Sequence, residues 1–219
     1  MAESVLVAID GPSGSGKSTT SKLLAGRLGL GYLDTGSMYR AATVRYRDAF
    51  PDGGAAPELM TMLIAGTRIE VGTDPDAPTI AVDGRDVTAE IREPRIAAAV
   101  SEVATNTEVR ALLIAQMRRI IDEHERRIVV EGRDITTVVA PDADARVLLV
   151  ADPAARVARR AAEVGDKADH AAVTDQVLRR DRDDSTVVNF TDAAEGVTVI
   201  DSTFLTPDEV VDAIVALLP

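Results

Sequence analysis

The chain has 219 residues and a formal net charge of −12 at pH 7, with 46% hydrophobic and 27% charged residues. This acidity argues against a general nucleic-acid binder, because phosphate backbones select basic surfaces. Cysteine is absent, which excludes disulfides and thiolate metal sites, and no apolar run approaches the roughly 20 residues that span a bilayer. We therefore expect one well-buried core in a cytoplasmic protein, with no signal peptide and no membrane association.

Short apolar strands and helical segments alternate at the start of the chain. Residues 5–9 form a β-branched run typical of a buried parallel strand, and residues 18–28 follow with helical spacing up to Gly29. A second short strand is predicted over residues 30–33 and another helix over 36–47. A Pro-, Gly- and Asp-rich loop covers residues 50–57.

Residues 59–95 have a different pattern and predict a small β-rich insert. Strands are predicted over residues 67–71 and 79–82, and Asp83-Gly84 is a hairpin signal.

The remainder of the chain returns to the alternation. A helical region over residues 96–125 is expected to break near residues 105–107. Further strands are predicted over residues 127–130, 146–150 and 197–200, and further helices over 153–164, 173–183 and 207–218. The five strands outside the insert predict an α/β fold, in which a parallel sheet is covered by helices on both faces.

The strongest motif connects the first strand to the first helix. It reads Gly11-Pro12-Ser13-Gly14-Ser15-Gly16-Lys17-Ser18, followed by Thr19, and fits the phosphate-loop (P-loop) pattern in full. Glycines let the backbone wrap around phosphate oxygens, and the helix that follows adds its positive end. Lys17 is expected to reach the β- and γ-phosphates of ATP, and the Ser18 hydroxyl to ligate Mg²⁺. This predicts a P-loop NTPase-type fold that binds a nucleoside triphosphate.

Polar clusters after two other strands are candidates for a phosphoryl acceptor site. In the first cluster, Asp34 or Thr35 either caps the next helix or contributes to the site, and Arg40 can bind an acceptor phosphate. In the second, Glu131-Gly132-Arg133-Asp134, the arginine suits a phosphate and Asp134 an exocyclic amine, while Glu131 can belong to the metal shell. The alternative for this cluster is an Arg–Asp pair that ties a loop.

Two further groups of arginines allow two interpretations each. Residues 179–185 alternate in charge, which indicates either a solvated helix face with weak ion pairs or a third part of the acceptor site. Arg156, Arg159 and Arg160 are either surface charges or part of a lid over the γ-phosphate. The preference for arginine over lysine reflects either codon usage or a fixed set of phosphate ligands.

Together these segments resemble the bacterial cytidylate kinases, a family of P-loop nucleoside monophosphate kinases. The resemblance covers nearly the whole chain, through the phosphate loop and residues 33–40, 84–92, 131–143 and 180–185. It implies transfer of the γ-phosphoryl group of ATP to CMP or dCMP, giving CDP or dCDP and ADP. It also implies an acceptor-binding subdomain over residues 36–98, a lid over 153–172, and a monomer without nucleic-acid partners.

The resemblance assigns roles to individual residues. Lys17, Arg40 and Arg133 would act on the migrating phosphoryl group, with Arg156 and Arg160 on the ATP side. The residues implied for CMP are Ser101, Arg110 and Asp134 at the cytosine edge, Arg40 and Arg133 at the monophosphate, Arg180 and Asp184 at the ribose, and Thr35 in the same site. The family usually has another phosphate-binding arginine soon after Ser185, but residues 186–190 read Thr-Val-Val-Asn-Phe. Either Arg182 or a lid arginine replaces it, or the acceptor phosphate is bound less tightly.

Other functions remain open from the residues alone. A kinase for another small acceptor, such as shikimate or dephospho-coenzyme A, would keep Lys17 and Ser18. A nucleotide-dependent switch would carry a guanine-reading Asn-Lys-x-Asp motif, but neither Asn106 nor Asn189, the two asparagines of the chain, is followed by lysine. A purely structural or binding module is the third alternative.

Overall fold

A computed structural model describes residues 4–164 and 192–219 of the chain. The strands in these ranges are β1 (Val5–Asp10), β2 (Gly31–Asp34), β3 (Ile69–Val71), β4 (Ile80–Val82), β5 (Arg85–Asp86), β6 (Arg127–Gly132), β7 (Ala145–Val150) and β8 (Thr198–Asp201). Five of them form a parallel sheet in the order β2-β6-β1-β7-β8, with the first strand at its centre. The predicted five-stranded parallel sheet is confirmed.

Helices surround this sheet. Those described are α1 (Lys17–Leu28), α2 (Thr35–Ala49), α3 (Pro57–Ala65), α4 (Pro94–Ala104), α5 (Thr107–Glu123), α6 (Pro153–Val164) and α7 (Pro207–Val215), together with a 3₁₀ turn at Glu90–Arg92 and a π-helix at Ile135–Val139. The predicted break is present, because Asn106 caps α5 by accepting the N–H groups of Glu108 and Val109. The helix predicted over residues 173–183 lies outside the described residues.

Both faces of the central strands β6, β1 and β7 are buried, as the continuous apolar runs predicted. On β1, Leu6 and Ala8 belong to a core with α2, α4 and α5, whereas Val7 and Ile9 belong to a second core with α1 and α7. Successive side chains of a strand point to opposite faces, so a strand that is covered on both sides needs an unbroken apolar run. This explains why β1 lacks polar alternation up to Asp10.

The insert contains its own antiparallel sheet in the order β3-β4-β5. Asp83 (φ 51°) and Gly84 (φ 80°) form the tight turn between β4 and β5, as the hairpin signal predicted. The strand predicted over residues 67–71 is present in a shorter form, and a helix that was not predicted precedes it. Helix α3 comes first, and Thr67 closes it by donating through its hydroxyl to the Leu63 carbonyl oxygen, so the strand begins only at Ile69.

The insert is attached to the main sheet at the edge strand β2. The backbone N–H of Tyr32 donates to the Thr73 carbonyl oxygen at 2.8 Å, and the Thr73 hydroxyl lies 2.8 Å from His124 Nε2 at the end of α5. Arg85 adds an ion pair to Asp48 of α2 at 2.6 Å. These contacts place the small sheet beside the edge strand β2 and helix α2.

No helix within residues 4–164 and 192–219 is long and apolar enough to cross a membrane.

Candidate active site

The phosphate loop joins β1 to α1 and lies tightly against neighbouring backbone. A Cβ on Gly11 (φ 152°) would lie 2.1 Å from the Leu149 carbonyl oxygen, and one on Gly14 (φ 76°) would lie 2.6 Å from the Arg156 carbonyl oxygen. Any side chain at these two positions would displace β7 or α6. The glycines of the motif are therefore required by packing as well as by backbone conformation.

Lys17 is the first residue of α1 and reaches across the opening of the loop. Its Nζ donates to the carbonyl oxygens of Gly11 at 2.7 Å and Pro12 at 2.8 Å. Ser18 and Thr19 follow in the first turn and are exposed. The positive helix end, the ammonium group and two accessible hydroxyls thus share one small region, which is the arrangement that phosphate binding needs.

Side chains from α6 and from the residues after β8 hold the loop from the β7–β8 side. Arg156 is 8% exposed and donates from Nη1 to the Ser13 carbonyl oxygen at 3.0 Å. Arg159 donates to the Ser202 carbonyl oxygen at 2.6 Å, and the Ser202 hydroxyl donates to the Ser15 carbonyl oxygen at 2.9 Å. Of the arginines weighed as lid residues, Arg156 and Arg159 contact the loop itself.

Asp10 ends the central strand and anchors the segment after β6. It is 3% exposed and accepts the backbone N–H groups of Ile135 and Thr136 at 2.8 Å each, and the Thr136 hydroxyl at 2.6 Å. Burial raises the pKa of the Asp10 carboxyl, while these donors and Lys17 act in the opposite direction. The carboxylate fixes the start of the π-helix, directly after Asp134.

A buried carboxylate, Glu131, lies beside the phosphate loop at the end of β6. It is 3% exposed, accepts the Tyr32 hydroxyl at 2.6 Å and is hydrogen-bonded to the Ser18 hydroxyl. Burial, and then the charge of Asp34, raise the pKa of Glu131, whereas Lys17, Ser18 and Tyr32 lower it. The two carboxylates of this cluster have different cationic neighbours, since Lys17 acts on Glu131 and Arg40 pairs with Asp34.

The oxygen donors of this cluster fit Mg²⁺. Mg²⁺ is usually held by one or two carboxylates together with substrate phosphates and waters. Ser18 and Glu131 supply a hydroxyl and a carboxylate beside the loop, and the repulsion between Glu131 and Asp34 would be relieved by a cation. No group of three or more His, Cys, Asp and Glu side chains suited to a metal occurs in the described ranges.

Asp34 and Arg40 lie together at the start of α2. Asp34 accepts the Ser37 backbone N–H at 3.0 Å and pairs with Arg40 Nη2 at 2.8 Å. Thr35 is buried and donates from its hydroxyl to the Glu131 carbonyl oxygen at 2.8 Å, which joins this helix end to β6. Asp34 is therefore a helix cap, and the same carboxylate orients Arg40.

The structure brings together two of the three residues expected to read the base. Arg110 Nη2 donates to Asp134 Oδ2, its Nη1 donates to the Ala104 carbonyl oxygen at 3.1 Å, and its guanidinium lies 5.5 Å from the centre of the Tyr39 ring. Asp134 is 5% exposed; burial raises its pKa, while Arg110 opposes this. Ser101 lies on α4, one turn before Ala104.

Of the other residues expected in the site, one lies in the described part of the chain and the others do not. Arg133 is partly buried between Gly132 and Asp134, where β6 ends. Arg180, Asp184 and the segment 186–190 that lacks the family's arginine lie outside the described residues, as does the side chain of Arg160.

The sheet order divides these residues into two groups around β1. Arg40, Arg110 and Asp134 lie on the side of β2 and β6, and Arg156 and Arg159 lie on the side of β7 and β8. The phosphate loop lies between the two groups.

Sequence reasoning missed the roles of Asp10, Tyr32 and Ser202. Their partners are 125, 99 and 187 residues away in the chain, so no local pattern marks them. Asp10 carried one signal, since a carboxylate ends an otherwise apolar strand.

Comparisons with known proteins agree on one family. Residues 7–219 match the family model described as cytidylate kinase. A cytidylate kinase of Cutibacterium acnes is 54% identical over 98% of this chain and 96% of its own length, and one of Streptomyces griseus is 45% identical over 98% and 93%. A crystal structure described as an uncharacterized protein from Eubacterium ventriosum has a TM-score of 0.51 at 12% identity, over 97% of this chain and 96% of that one, a similarity of fold alone. The chain belongs to the cytidylate kinase family.

Proposed function

We propose that this chain transfers the γ-phosphoryl group of ATP to a phosphate oxygen of CMP or dCMP, giving CDP or dCDP and ADP. The arrangement that carries the proposal is the division of the site around β1. A phosphate loop with Lys17 faces one group of arginines on the β7–β8 side and a second group on the β2–β6 side. In-line transfer needs a donor and an acceptor on opposite sides of the migrating group.

On the donor side, residues 11–19 bind the phosphates of ATP. Lys17 balances the charge that develops on the β- and γ-phosphates, and Arg156 and Arg160 act from α6. Ser18 and the neighbouring Glu131 would hold Mg²⁺, which would further neutralise phosphate charge when bound. Residues 153–172 form the lid in this proposal.

On the acceptor side, Arg40 and Arg133 hold the CMP phosphate and lower the repulsion between the two substrates. Ser101, Arg110 and Asp134 read the base, Arg180 and Asp184 hold the ribose, and Thr35 belongs to the same site. Residues 36–98 form the acceptor-binding subdomain, and the rest of the single unit is its core. A monomer in the cytoplasm, where ATP and CMP are available, completes the proposal.

The buried pair Arg110–Asp134 supports cytosine over uracil. Cytosine offers an exocyclic amine that Asp134 can accept, while uracil presents a carbonyl that would face the carboxylate. A buried polar group without a partner costs about 1–3 kcal/mol, which corresponds to a selectivity of roughly 5- to 150-fold. Loss of the 2′-hydroxyl removes one ribose contact, so dCMP remains a substrate.

A coupled ADP-release assay tests the function with CMP, dCMP, UMP, AMP and shikimate as acceptors. Asp134→Asn should lower kcat/KM for CMP by about 10- to 100-fold and for UMP by much less. Asp142→Asn is the matched control, since Asp142 pairs with Arg126 on the surface. Activity confined to shikimate, or hydrolysis indifferent to every acceptor, would overturn the proposal.

The alternatives are less well supported. A shikimate-like kinase would have no use for the buried Arg110–Asp134 pair beside Tyr39. The sequence lacks the guanine-reading Asn-Lys-x-Asp motif that a nucleotide-dependent switch would carry.

A further inference from the structure

Tyr32 occupies a buried junction between the insert and the phosphate loop. It lies on the edge strand β2 and is 2% exposed, and its hydroxyl donates to Glu131 Oε1 at 2.6 Å. The Ser18 hydroxyl lies beside this phenol. The Lys22 ammonium group covers the ring at 5.6 Å from its centre, and the Tyr32 backbone holds Thr73 of the insert.

The orientation of Glu131 depends on such a contact. A glutamate side chain has three rotatable torsions, and the last of them is broad, so burial alone does not fix the plane of its carboxylate. The phenol donates to one carboxylate oxygen of Glu131 from the neighbouring strand β2 and so restricts the plane of that carboxylate.

We propose that Tyr32 is a positioning residue for the metal, whose phenol orients Glu131 so that this carboxylate and the Ser18 hydroxyl form the protein's share of the Mg²⁺ site. The inference rests on the proposed function only in assuming that the enzyme binds MgATP, and it does not depend on which acceptor is phosphorylated. Hydrogen-bond partners of metal ligands typically contribute 10- to 100-fold to metal affinity. Tyr32 does not touch the phosphates; it acts through Glu131.

The test compares ADP binding with and without metal by isothermal titration calorimetry. In the intact enzyme, Mg²⁺ should strengthen ADP binding relative to binding in EDTA. Tyr32→Phe should reduce this enhancement by about 10-fold and leave metal-free ADP affinity within about twofold, because the phosphate loop is unchanged. In steady-state assays kcat should fall while KM for CMP stays within about twofold.

Tyr46→Phe is the matched control. Tyr46 is fully buried and donates its hydroxyl to a carboxylate, Glu102, far from the phosphate loop. Tyr46→Phe removes a phenol–carboxylate hydrogen bond of the same kind as Tyr32→Phe does. A general effect of removing a buried phenol would therefore appear in both variants. An equal Mg²⁺ enhancement in Tyr32→Phe and Tyr46→Phe would overturn the inference.

A double-mutant cycle separates positioning from simple structural support. Glu131→Gln should also reduce the Mg²⁺ enhancement, and Tyr32→Phe added to it should have little further effect, because the carboxylate to be oriented is gone. Full additivity would show that Tyr32 acts independently of Glu131 and would also overturn the inference. ADP binding requires no acceptor, so the Mg²⁺ enhancement can be interpreted even if the enzyme proves not to be specific for CMP.

Discussion

Asp10 accepts three hydrogen bonds in the centre of the protein, and Asp10→Ala removes all three. Two backbone N–H groups, those of Ile135 and Thr136, would then be buried without an acceptor. Each such loss costs about 1–3 kcal/mol, and removal of one side of a buried charged network costs about 3–5 kcal/mol. We therefore expect the free energy of unfolding to fall by about 3–5 kcal/mol.

Urea unfolding followed by far-UV circular dichroism measures this loss. With a denaturant slope of about 2–3 kcal/mol per M, the midpoint should fall by about 1–2.5 M. Asp10→Asn keeps one acceptor oxygen and should lose about half as much. The π-helix that Asp10 anchors follows Asp134 directly, so loss of the anchor should displace Asp134. The folded Asp10→Asn enzyme should therefore have a higher KM for CMP.

Asp144→Ala is the control, because Asp144 binds the start of β1 whereas Asp10 is its last residue. The exposed Asp144 accepts one hydrogen bond, from the Leu6 backbone N–H at 2.8 Å, so its loss should cost only about 1 kcal/mol. If the Asp10→Ala midpoint lies within about 0.3 M of wild type, the three hydrogen bonds do not hold the turn and the reasoning is wrong.

Three further predictions follow from contacts described above. Arg159→Met should raise KM for ATP by about 10-fold and leave KM for CMP unchanged in initial-rate assays, because Arg159 braces the phosphate loop from the β8 side. Burial raises the pKa of Asp134 above its unfolded value of 3.8, although Arg110 acts in the opposite direction. The free energy of unfolding should therefore fall as the pH rises from about 4 through the folded pKa. Urea midpoints of Asp134→Asn should lack this pH dependence. Thr206→Ala should cost about 1 kcal/mol and about 2–4 °C in Tm with kcat unchanged, because the capping box with Glu209 is lost; a thermal melt within 0.5 °C of wild type would contradict the cap's role.

The sequence predicted the main sheet because each of its strands carries a local signal. β1 and β6 are continuous apolar runs, and the glycines of the phosphate loop mark the turn that follows β1. Helix α3 was missed, because its apolar residues fall in a stretch dominated by turn and strand signals, and short helices are stabilised chiefly by tertiary packing.

The candidate site was predictable where a motif is contiguous and hidden where it is assembled from distant segments. Lys17 and Ser18 follow from one loop, and Arg40, Arg133 and Asp134 from polar residues at strand ends. By contrast, Arg159 meets Ser202 only because β8 lies next to β7 in the sheet. Such contacts depend on strand order, which residue spacing does not encode.

The three tyrosines of the chain all lie in β2 and α2, and the chain has no tryptophan. Tyr32 contacts Glu131 beside the phosphate loop, Tyr39 lies under Arg110, and Tyr46 is buried against the α4 residue Glu102. Tyrosine fluorescence of this protein therefore arises from one segment of about 15 residues, on the β2–β6 side of β1. Stopped-flow recordings of tyrosine emission from unlabelled enzyme should thus report events in β2 and α2 directly.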